Sequence, residues 1–293
     1  MKVYYSPDYV GSAYSFDTTR KAKWVADSLA HMPIPGVELV APEPLKFEDI
    51  AAVHERRYVE AVRTGEPREL AVSSSFDWDP GYWRMVASST GGAVAAVRSA
   101  MEDGVSGSLS SGLHHARFER GAMFCTFNGL VIAAKHALAT GAQSVLILDL
   151  DAHCGGGTHS LIEGDDRIRQ IDVSVNAVDH YKPAATNALD VVWKADEYLE
   201  TIRNRLPERG WKPDVCIYNA GMDAEERCQV GGLPGVTGEM LKEREGIVFD
   251  WCRNREIPVA FVLAGGYAGG ALLRDDLVQL HRSTIVEAAK LAS

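Results

Sequence analysis

Two aspartates and a histidine alternate at the end of one apolar segment of this 293-residue chain. Residues 145–150 are rich in Val, Leu and Ile, which is typical of a strand buried on both faces, and Asp149, Asp151 and His153 occur there at a spacing of two. Because side chains alternate between the faces of a strand, these three point the same way. Buried carboxylates are costly unless they are paired or bind a metal. The pattern therefore predicts a metal site.

The spacing divides the roles among these three side chains. Residues i and i+2 lie about 6–7 Å apart at Cα, so Asp151 and His153 can converge on one ion through bonds of about 2 Å. Asp149 and His153 lie about 13 Å apart, so Asp149 is predicted to support the ligands rather than to bind the ion. The alternatives are a structural acid cluster and a phosphate loop at 155–157, which are all Gly. No G-x-G-x-x-G pattern occurs, however, and the acids would repel phosphate.

A third ligand is predicted from another strand. The apolar segment 215–219 leads to Gly221-Met222-Asp223. An isolated aspartate in this position is more often a cap or turn residue, but beside the first motif Asp223 is expected to complete the metal site. Three protein ligands leave one position for water or substrate, which is typical of a catalytic site.

Two further motifs follow predicted strands. His114-His115 comes after 105–110, and a neutral imidazole is a suitable general base for an activated water. Tyr267 follows Gly265-Gly266 at the end of 259–264, and its phenol could donate a hydrogen bond to a developing oxyanion. The alternatives are an incidental histidine pair and a buried tyrosine with an ordinary partner.

The elements that position these residues alternate between strand and helix. This order predicts an α/β fold with an open, mainly parallel sheet flanked by helices, in which ligands bind at the carboxyl ends of the strands. No linker is evident, so we expect one domain over residues 1–293. The predicted strands are 2–5, 37–41, 105–110, 145–150, 168–175, 215–219 and 259–264. The predicted helices are 20–29, 91–101, 128–139, 195–205 and 239–253.

Composition restricts the class of protein and of partner. The net charge of −10 argues against nonspecific binding to nucleic acid or to an anionic membrane. Five widely spaced cysteines without a C-x-x-C pair indicate reduced thiols rather than a disulfide framework. The longest apolar run, 259–273, contains four glycines and is too short to span a bilayer, and the N-terminus does not resemble a signal peptide. We therefore expect a cytoplasmic protein.

Together, these motifs resemble the histone deacetylase family, which includes bacterial acetylpolyamine amidohydrolases and has the arginase/deacetylase fold. The resemblance covers nearly the whole chain, and residues 53–59, with His54, are similar to an early segment of the family that contributes to the fold or the rim of the site. The motifs, in the family's order, are 112–116 (GLHHA), 124–128 (FCTFN), 149–153 (DLDAH), 221–223 (GMD) and 265–267 (GGY).

The resemblance implies a metal-dependent deacetylase or deacylase. His115 would be the general base and acid, His114 would pair with Asp149, and Tyr267 would polarise the scissile amide carbonyl. The implied ligands of the divalent ion, usually zinc and otherwise Fe²⁺, are Asp151, His153 and Asp223.

The resemblance also implies residues around this catalytic group. Phe124 would line a tunnel for an acyl-lysine-like chain, and Asp149 with Ser174 would bind a monovalent cation such as K⁺. Arg20 would correspond to an arginine near an internal cavity. Asp79 would correspond to a rim aspartate that holds the substrate backbone.

The chain departs from the family at two places. Many members carry Asn or Asp where Gly156 stands, and that residue supports the second histidine, so the tuning of His115 stays open. The loop at 224–234 also differs from the usual Asp-Pro-Leu pattern. The acyl group and the amine stay open among protein lysine, polyamine and a small amide metabolite, as does the oligomeric state. The alternative functions are an arginase-like binuclear ureohydrolase and a non-catalytic acyl-lysine-binding protein.

Overall fold

The computed structural model describes residues 1–184, 186–206 and 209–292. The strands form one open sheet in which every pair of neighbours is parallel. They are β1 (Lys2–Tyr4), β2 (Glu38–Val40), β3 (Val105–Ser108), β4 (Val145–Asp149), β5 (Ile168–Ser174), β6 (Ala188–Val191), β7 (Val215–Asn219) and β8 (Val259–Val262). Their order across the sheet is β2-β1-β3-β8-β7-β4-β5-β6.

Helices connect the strands, as parallel pairing requires. They are α1 (Asp17–His31), α2 (Phe47–Ala51), α3 (Arg56–Thr64), α4 (Arg68–Ala71), α5 (Tyr82–Asp103), α6 (Gly129–Ala139), α7 (Gly156–Ile162), α8 (Ala195–Arg205), α9 (Gly238–Asn254) and α10 (Arg274–Ala289). A 3-10 turn spans Pro7–Val10. Among the residues that the structure describes, none of these helices combines the length and apolar character needed to cross a bilayer.

The sheet separates two hydrophobic cores, and β4 contributes to both. Val145 and Ile147 pack in the core that contains α3, α5 and α6, whereas Leu146 and Leu148 pack in the core that contains α1, α8, α9 and α10. Burial on both faces explains why this strand is continuously apolar. The predicted fold class, an open parallel sheet flanked by helices, is confirmed.

All seven predicted strands and all five predicted helices occur. β7 and α8 have the predicted bounds, the other elements have shifted ends, and α5 begins nine residues before its prediction. The prediction missed β6, which is a short, half-buried edge strand without an apolar run. It also missed the short helices α2, α3, α4 and α7. The long helix α10 was missed although Leu277, Leu280, Thr284 and Ala288 give it a buried helical face. That residues 1–293 form one domain stays a prediction.

A buried ion pair on α9 ties together the carboxyl ends of β4 and β7. Arg244 and Glu245 are fully buried, with 2.6 Å between Nη2 and Oε1. The same guanidinium donates to the backbone carbonyls of Leu150 at 3.2 Å and Gly221 at 2.7 Å. Because each carbonyl lies within two residues of a predicted metal ligand, the ion pair fixes the backbone on which the ligands depend.

We expect Arg244→Met to lower the free energy of unfolding by about 3–5 kcal/mol, because Glu245 would be left buried without its partner. Denaturant titration measures the change. The control is Arg253→Met, which breaks an exposed pair with Asp250 on the same helix and should cost no more than about 1 kcal/mol. Equal losses in the two variants would contradict a structural role for the buried pair.

Candidate active site

The three predicted metal ligands lie together where β4 and β7 end. Asp151, His153 and Asp223 are buried, and their potential ligand atoms all lie within 4.8 Å of one another. His153 Nδ1 is 3.1 Å from Asp151 Oδ1 and 3.3 Å from Asp223 Oδ2. Two carboxylates and one imidazole are a donor set that zinc binds, with ligand bonds of about 2 Å.

The electrostatics of this group also fit a cation. Burial raises the pKa of Asp223, and the neighbouring Asp151 carboxylate raises it further. Asp223 Oδ2 is buried and makes no hydrogen bond within the described part of the chain. A divalent ion between the two carboxylates would remove their repulsion and provide the missing partner.

The backbone that follows β8 approaches the ligands directly. Gly265 N donates to Asp151 Oδ2 at 2.7 Å. A Cβ at position 265 would collide with carboxylate oxygens of both Asp151 and Asp223. Glycine is therefore required here for steric reasons, and it brings the segment that carries Tyr267 beside the metal ligands.

The paired histidines differ in their hydrogen-bond partners. His114 Nδ1 lies 2.8 Å from Asp149 Oδ2, and His114 Nε2 lies 3.1 Å from His115 Nε2. The second oxygen of Asp149 accepts a hydrogen bond of 2.7 Å from Asn219 Nδ2. Asp149 thus contacts His114, the partner that the resemblance implies, and it is itself held by the neighbouring strand β7.

The two imidazoles also differ in charge. Burial alone would lower the pKa of His114, but Asp149 and Asp151 outweigh it and raise that pKa to about 10. Burial and the adjacent His114 lower the pKa of His115 to about 4. The surroundings therefore favour the charged form of His114 and the neutral form of His115.

His115 has a carboxylate partner that the sequence did not indicate. Its Nδ1 lies 2.9 Å from Asp179 Oδ2, in the loop that follows β5. Asp179 belongs to no motif and is 64 residues away along the chain, so only the fold reveals the contact. His54, by contrast, has a structural role, because its ring nitrogens bond the backbone of Arg117 and Asn128.

Aromatic side chains cluster around Tyr267. Phe124 stacks on Phe16 with 4.6 Å between ring centroids and meets Phe76 edge-on at 5.4 Å. The Phe16 and Tyr267 centroids are 5.8 Å apart. Burial, together with Asp223 and Asp151, raises the pKa of Tyr267 well above its usual range, so the phenol keeps its proton at neutral pH. The aromatic cluster supplies an apolar wall, and the phenol supplies a hydrogen-bond donor.

The structure does not bring Arg20 into this group. Helix α1 directs Arg20 to solvent and buries the next residue, Lys21, whose Nζ lies 5.8 Å from the centroid of the Tyr267 ring. Burial lowers the pKa of Lys21 to about 8. The cation behind Tyr267 is therefore this lysine, one position along the helix from the predicted arginine.

Asp79 holds the N-terminal loop in this structure. One carboxylate oxygen accepts from Ser12 Oγ at 3.0 Å and from Ala13 N at 2.7 Å. The other accepts from Gly81 N at 2.7 Å. These contacts fix the loop that leads to Phe16, so Asp79 positions one wall of the aromatic cluster. Its predicted contact with a substrate backbone stays a prediction.

Ser174 lies at the buried end of β5, with its Oγ 3.2 Å from Cys154 Sγ. On the same strand Asp172 is in register with Asp149 of β4. Burial and Asp149 raise the pKa of Asp172 well above its usual range, and its Oδ1 has no hydrogen bond among the described residues. Excess negative charge therefore surrounds the predicted monovalent site, and occupancy by K⁺ stays a prediction.

The unusual loop at 224–234 folds over the metal ligands. Gly231 has φ +111°, and a Cβ there would lie 2.6 Å from Ala152 Cβ and 3.1 Å from His153 Cε1. The loop is closed by a hydrogen bond of 3.1 Å from Leu233 N to the Ala224 carbonyl. It therefore covers one side of His153.

Comparisons with known proteins show which family the chain resembles over most of its length. The family model described as the histone deacetylase domain matches residues 16–276. Histone deacetylase 2 of Arabidopsis thaliana is 26% identical over 265 residues, which cover 84% of this chain and 68% of that protein. A probable deacetylase of Methanothermobacter thermautotrophicus is 28% identical over 271 residues, which cover 81% of this chain and 76% of that protein. The crystal structure of acetylpolyamine aminohydrolase from Burkholderia pseudomallei has the same fold, with a TM-score of 0.78, 19% identity and 99% of each chain covered.

We expect Asp223→Asn to abolish stable zinc binding, because the amide keeps the shape of the side chain but supplies no anionic ligand. The metal content of dialysed protein, measured by elemental analysis, tests this expectation. The control is Asp190→Asn on the edge strand β6, which removes an acid that pairs with Arg205 of α8. One zinc per chain in both variants would contradict the ligand set.

Proposed function

Since this chain belongs to the histone deacetylase family and is a hydrolase that acts on amide bonds, we propose that it is a zinc-dependent deacetylase or deacylase. The proposed substrate is an acyl-lysine or another acylated amine, such as an acetylpolyamine. The observation that carries the proposal is that a hydrogen-bonded histidine pair lies next to a buried Asp-His-Asp set, with His114 Nε2 3.6 Å from Asp151 Oδ1. A metal group and a neutral base are the two components that amide hydrolysis by water needs.

Zinc and three side chains have separate roles in the proposed reaction. Zinc, when bound, would polarise the scissile carbonyl and lower the pKa of its water toward ~7. His115 accepts a proton from the attacking water and later gives it to the leaving amine. His114, kept cationic by Asp149, stabilises the negative charge that develops beside it. Tyr267 donates a hydrogen bond to the carbonyl oxygen as that oxygen becomes negative.

The aromatic cluster supports an extended apolar substrate chain. Phe124 and Phe16 would contact the methylene groups next to the scissile amide, because both rings pack around the Tyr267 side of the site. The side chain of lysine and the chain of a polyamine both contain such methylene groups. Protein lysine, polyamine and small amides therefore remain the classes to be compared by experiment.

Asp149 and Ser174 are the residues proposed to bind a monovalent cation near the histidine pair, and Asp172 places a second buried acid beside Asp149. Asp172 Oδ1 and Asn219 Oδ1 are both buried without a hydrogen bond within the described ranges. A potassium ion bound by Asp149 and Ser174 would offset the buried negative charge at this strand end. Activity measured in K⁺ and in a large organic cation would test the need for such an ion.

A turnover screen tests the proposed function. Protein loaded with zinc, and separately with Fe²⁺, is assayed against acetyl-lysine peptides, longer acyl-lysine peptides and acetylpolyamines. We expect release of free acid and amine from at least one class. Binding without turnover would favour the non-catalytic alternative. Two metal ions per chain with release of urea from a guanidino compound would favour the ureohydrolase alternative, although the described residues contain one potential metal cluster of three ligands.

We expect His115→Ala to lower kcat by about 10²–10⁴-fold, because the general base is removed. Steady-state assays of the zinc-loaded variant on the best substrate of the screen measure the effect. His136→Ala, which removes a partly exposed imidazole from α6, is the matched control. Turnover near that of the wild type would exclude His115 as the base.

We expect Tyr267→Phe to lower kcat by about 10²–10³-fold while zinc content is unchanged, because only the hydrogen bond to the oxyanion is lost. The matched control is Tyr5→Phe, which removes only the hydroxyl group of a ring that packs against Tyr9. The role of Tyr267 would be refuted if its variant kept the kcat of the Tyr5 variant.

A further inference from the structure

We infer that Asp179 is the positioning residue for His115, and that residue 156 is glycine because the Asp179 carboxylate and its backbone fill the space of a side chain there. The inference rests on the proposed function, since it assigns the partner of the proposed general base. Many members of the family carry Asn or Asp at the position of Gly156. This chain brings a carboxylate to the same histidine from the loop after β5.

The carboxylate of Asp179 is held from three directions. Its Oδ2 lies 2.9 Å from His115 Nδ1 and accepts a hydrogen bond of 3.1 Å from Gly157 N. Its Oδ1 accepts from Arg117 Nη2. The Asp179 side chain is 6% exposed, so these contacts are shielded from solvent. A carboxylate that is buried and held in this way has one orientation toward the imidazole.

Arg117 connects this carboxylate to the glycine segment. Its Nη2 binds Asp179, and its Nη1 donates to the Gly156 carbonyl at 2.9 Å. The guanidinium therefore fixes the distance between the loop after β5 and the start of α7. It also balances the negative charge of Asp179, so the partner of His115 is not an uncompensated buried anion.

The contact determines which nitrogen of His115 carries the proton. An ionised carboxylate only accepts hydrogen bonds, so His115 Nδ1 must be the donor. The lone pair of the neutral ring is then on Nε2, which accepts a hydrogen bond of 3.1 Å from the Nε2–H of a charged His114. A water molecule that is to be deprotonated must replace His114 in this contact. A general base at this position needs that tautomer, because Nε2 is the atom that must accept the proton of the water.

The backbone explains why the acid and the glycine occur together. A Cβ at position 156 would collide with the Asp179 carbonyl oxygen and lie 2.7 Å from its Oδ1. Asp179 itself has φ +60°, a left-handed conformation that Asp adopts more readily than most residues. The preceding residue is fixed by a hydrogen bond of 3.0 Å from Cys154 N to the Val178 carbonyl. Asp179 therefore occupies the space that a side chain at position 156 would need.

Kinetics of Asp179 variants test the inference. We expect Asp179→Asn and Asp179→Ala to lower kcat by about 10–100-fold, with the larger loss in the alanine variant, because Asn can still accept one hydrogen bond from Nδ1. KM and zinc content should stay within twofold of the wild type. The matched control is Asp165→Asn. Like Asp179, Asp165 is a shielded acid with two side-chain partners, which are Lys135 and Arg167. Its kcat should stay within twofold.

Two outcomes of this assay would overturn the inference. One is a kcat of Asp179→Ala within twofold of that of the control. The other is a loss of activity that is explained in full by a loss of bound zinc or by a rise in KM. Either result would show that Asp179 only maintains the structure.

A spectroscopic measurement separates this inference from the proposed function. Protein labelled with ¹⁵N-histidine is observed in long-range ¹H–¹⁵N spectra, with the His115 signals assigned by their absence in His115→Ala. We expect the Nδ1–H tautomer in the wild type and a mixture of tautomers in Asp179→Ala. An Nε2–H tautomer in the wild type would overturn the inference. If the expected tautomer is found while no amide substrate is turned over, the proposed function fails and the assignment of Asp179 stands.

Discussion

The repulsion among four buried carboxylates near the carboxyl ends of the central strands is the constraint on which the site depends. Asp149, Asp151, Asp172 and Asp223 lie at or just beyond the carboxyl ends of β4, β5 and β7, and all are buried. Each needs a cation or several donors to be stable there. The charged His114, the imidazole of His153 and the backbone N–H groups of the glycine segments provide part of this compensation. A divalent ion between Asp151 and Asp223 would provide the rest.

The same constraint accounts for the unusual backbone at the strand ends. Donors can reach a buried carboxylate only if the chain turns sharply and passes close to it. Gly265 does so without a side chain, whereas Leu113 and Ala264 adopt left-handed conformations immediately before the residues that line the site. Phe124 also has a positive φ, at +61°. Strained backbone of this kind persists only where surrounding contacts fix it. Here they include hydrogen bonds from Phe124 N to the Ser74 carbonyl at 2.7 Å and from Ser111 Oγ to the Ala264 carbonyl at 3.1 Å.

Sequence patterns predict the parts of this site that depend on local structure. Asp151 and His153 share a strand end, and the strand that leads to Asp223 lies beside it, so alternation and strand order suffice to bring them together. Lys21 and Asp179 could not be found in this way. The choice of Lys21 over Arg20 depends on the rotation of α1 against the sheet, and the contact of Asp179 depends on a loop without a pattern. Similarly, Asp79 is recognisable as an acid at a turn, but its partners at Ser12 and Ala13 are set by packing.

The contact between Asp179 and His115 bears on what the proposed chemistry requires of the histidine pair. Under the proposed function, His115 requires an acceptor oxygen about 3 Å from Nδ1, because that contact sets the tautomer and orients the ring. It does not need the oxygen to come from a given backbone position. Gly156 removes the side chain at the start of α7, and the space it leaves admits the loop that carries Asp179. The direction of approach to Nδ1 is therefore fixed by the fold, whereas the segment that supplies the acid can change, provided that Arg117 or an equivalent cation balances its charge.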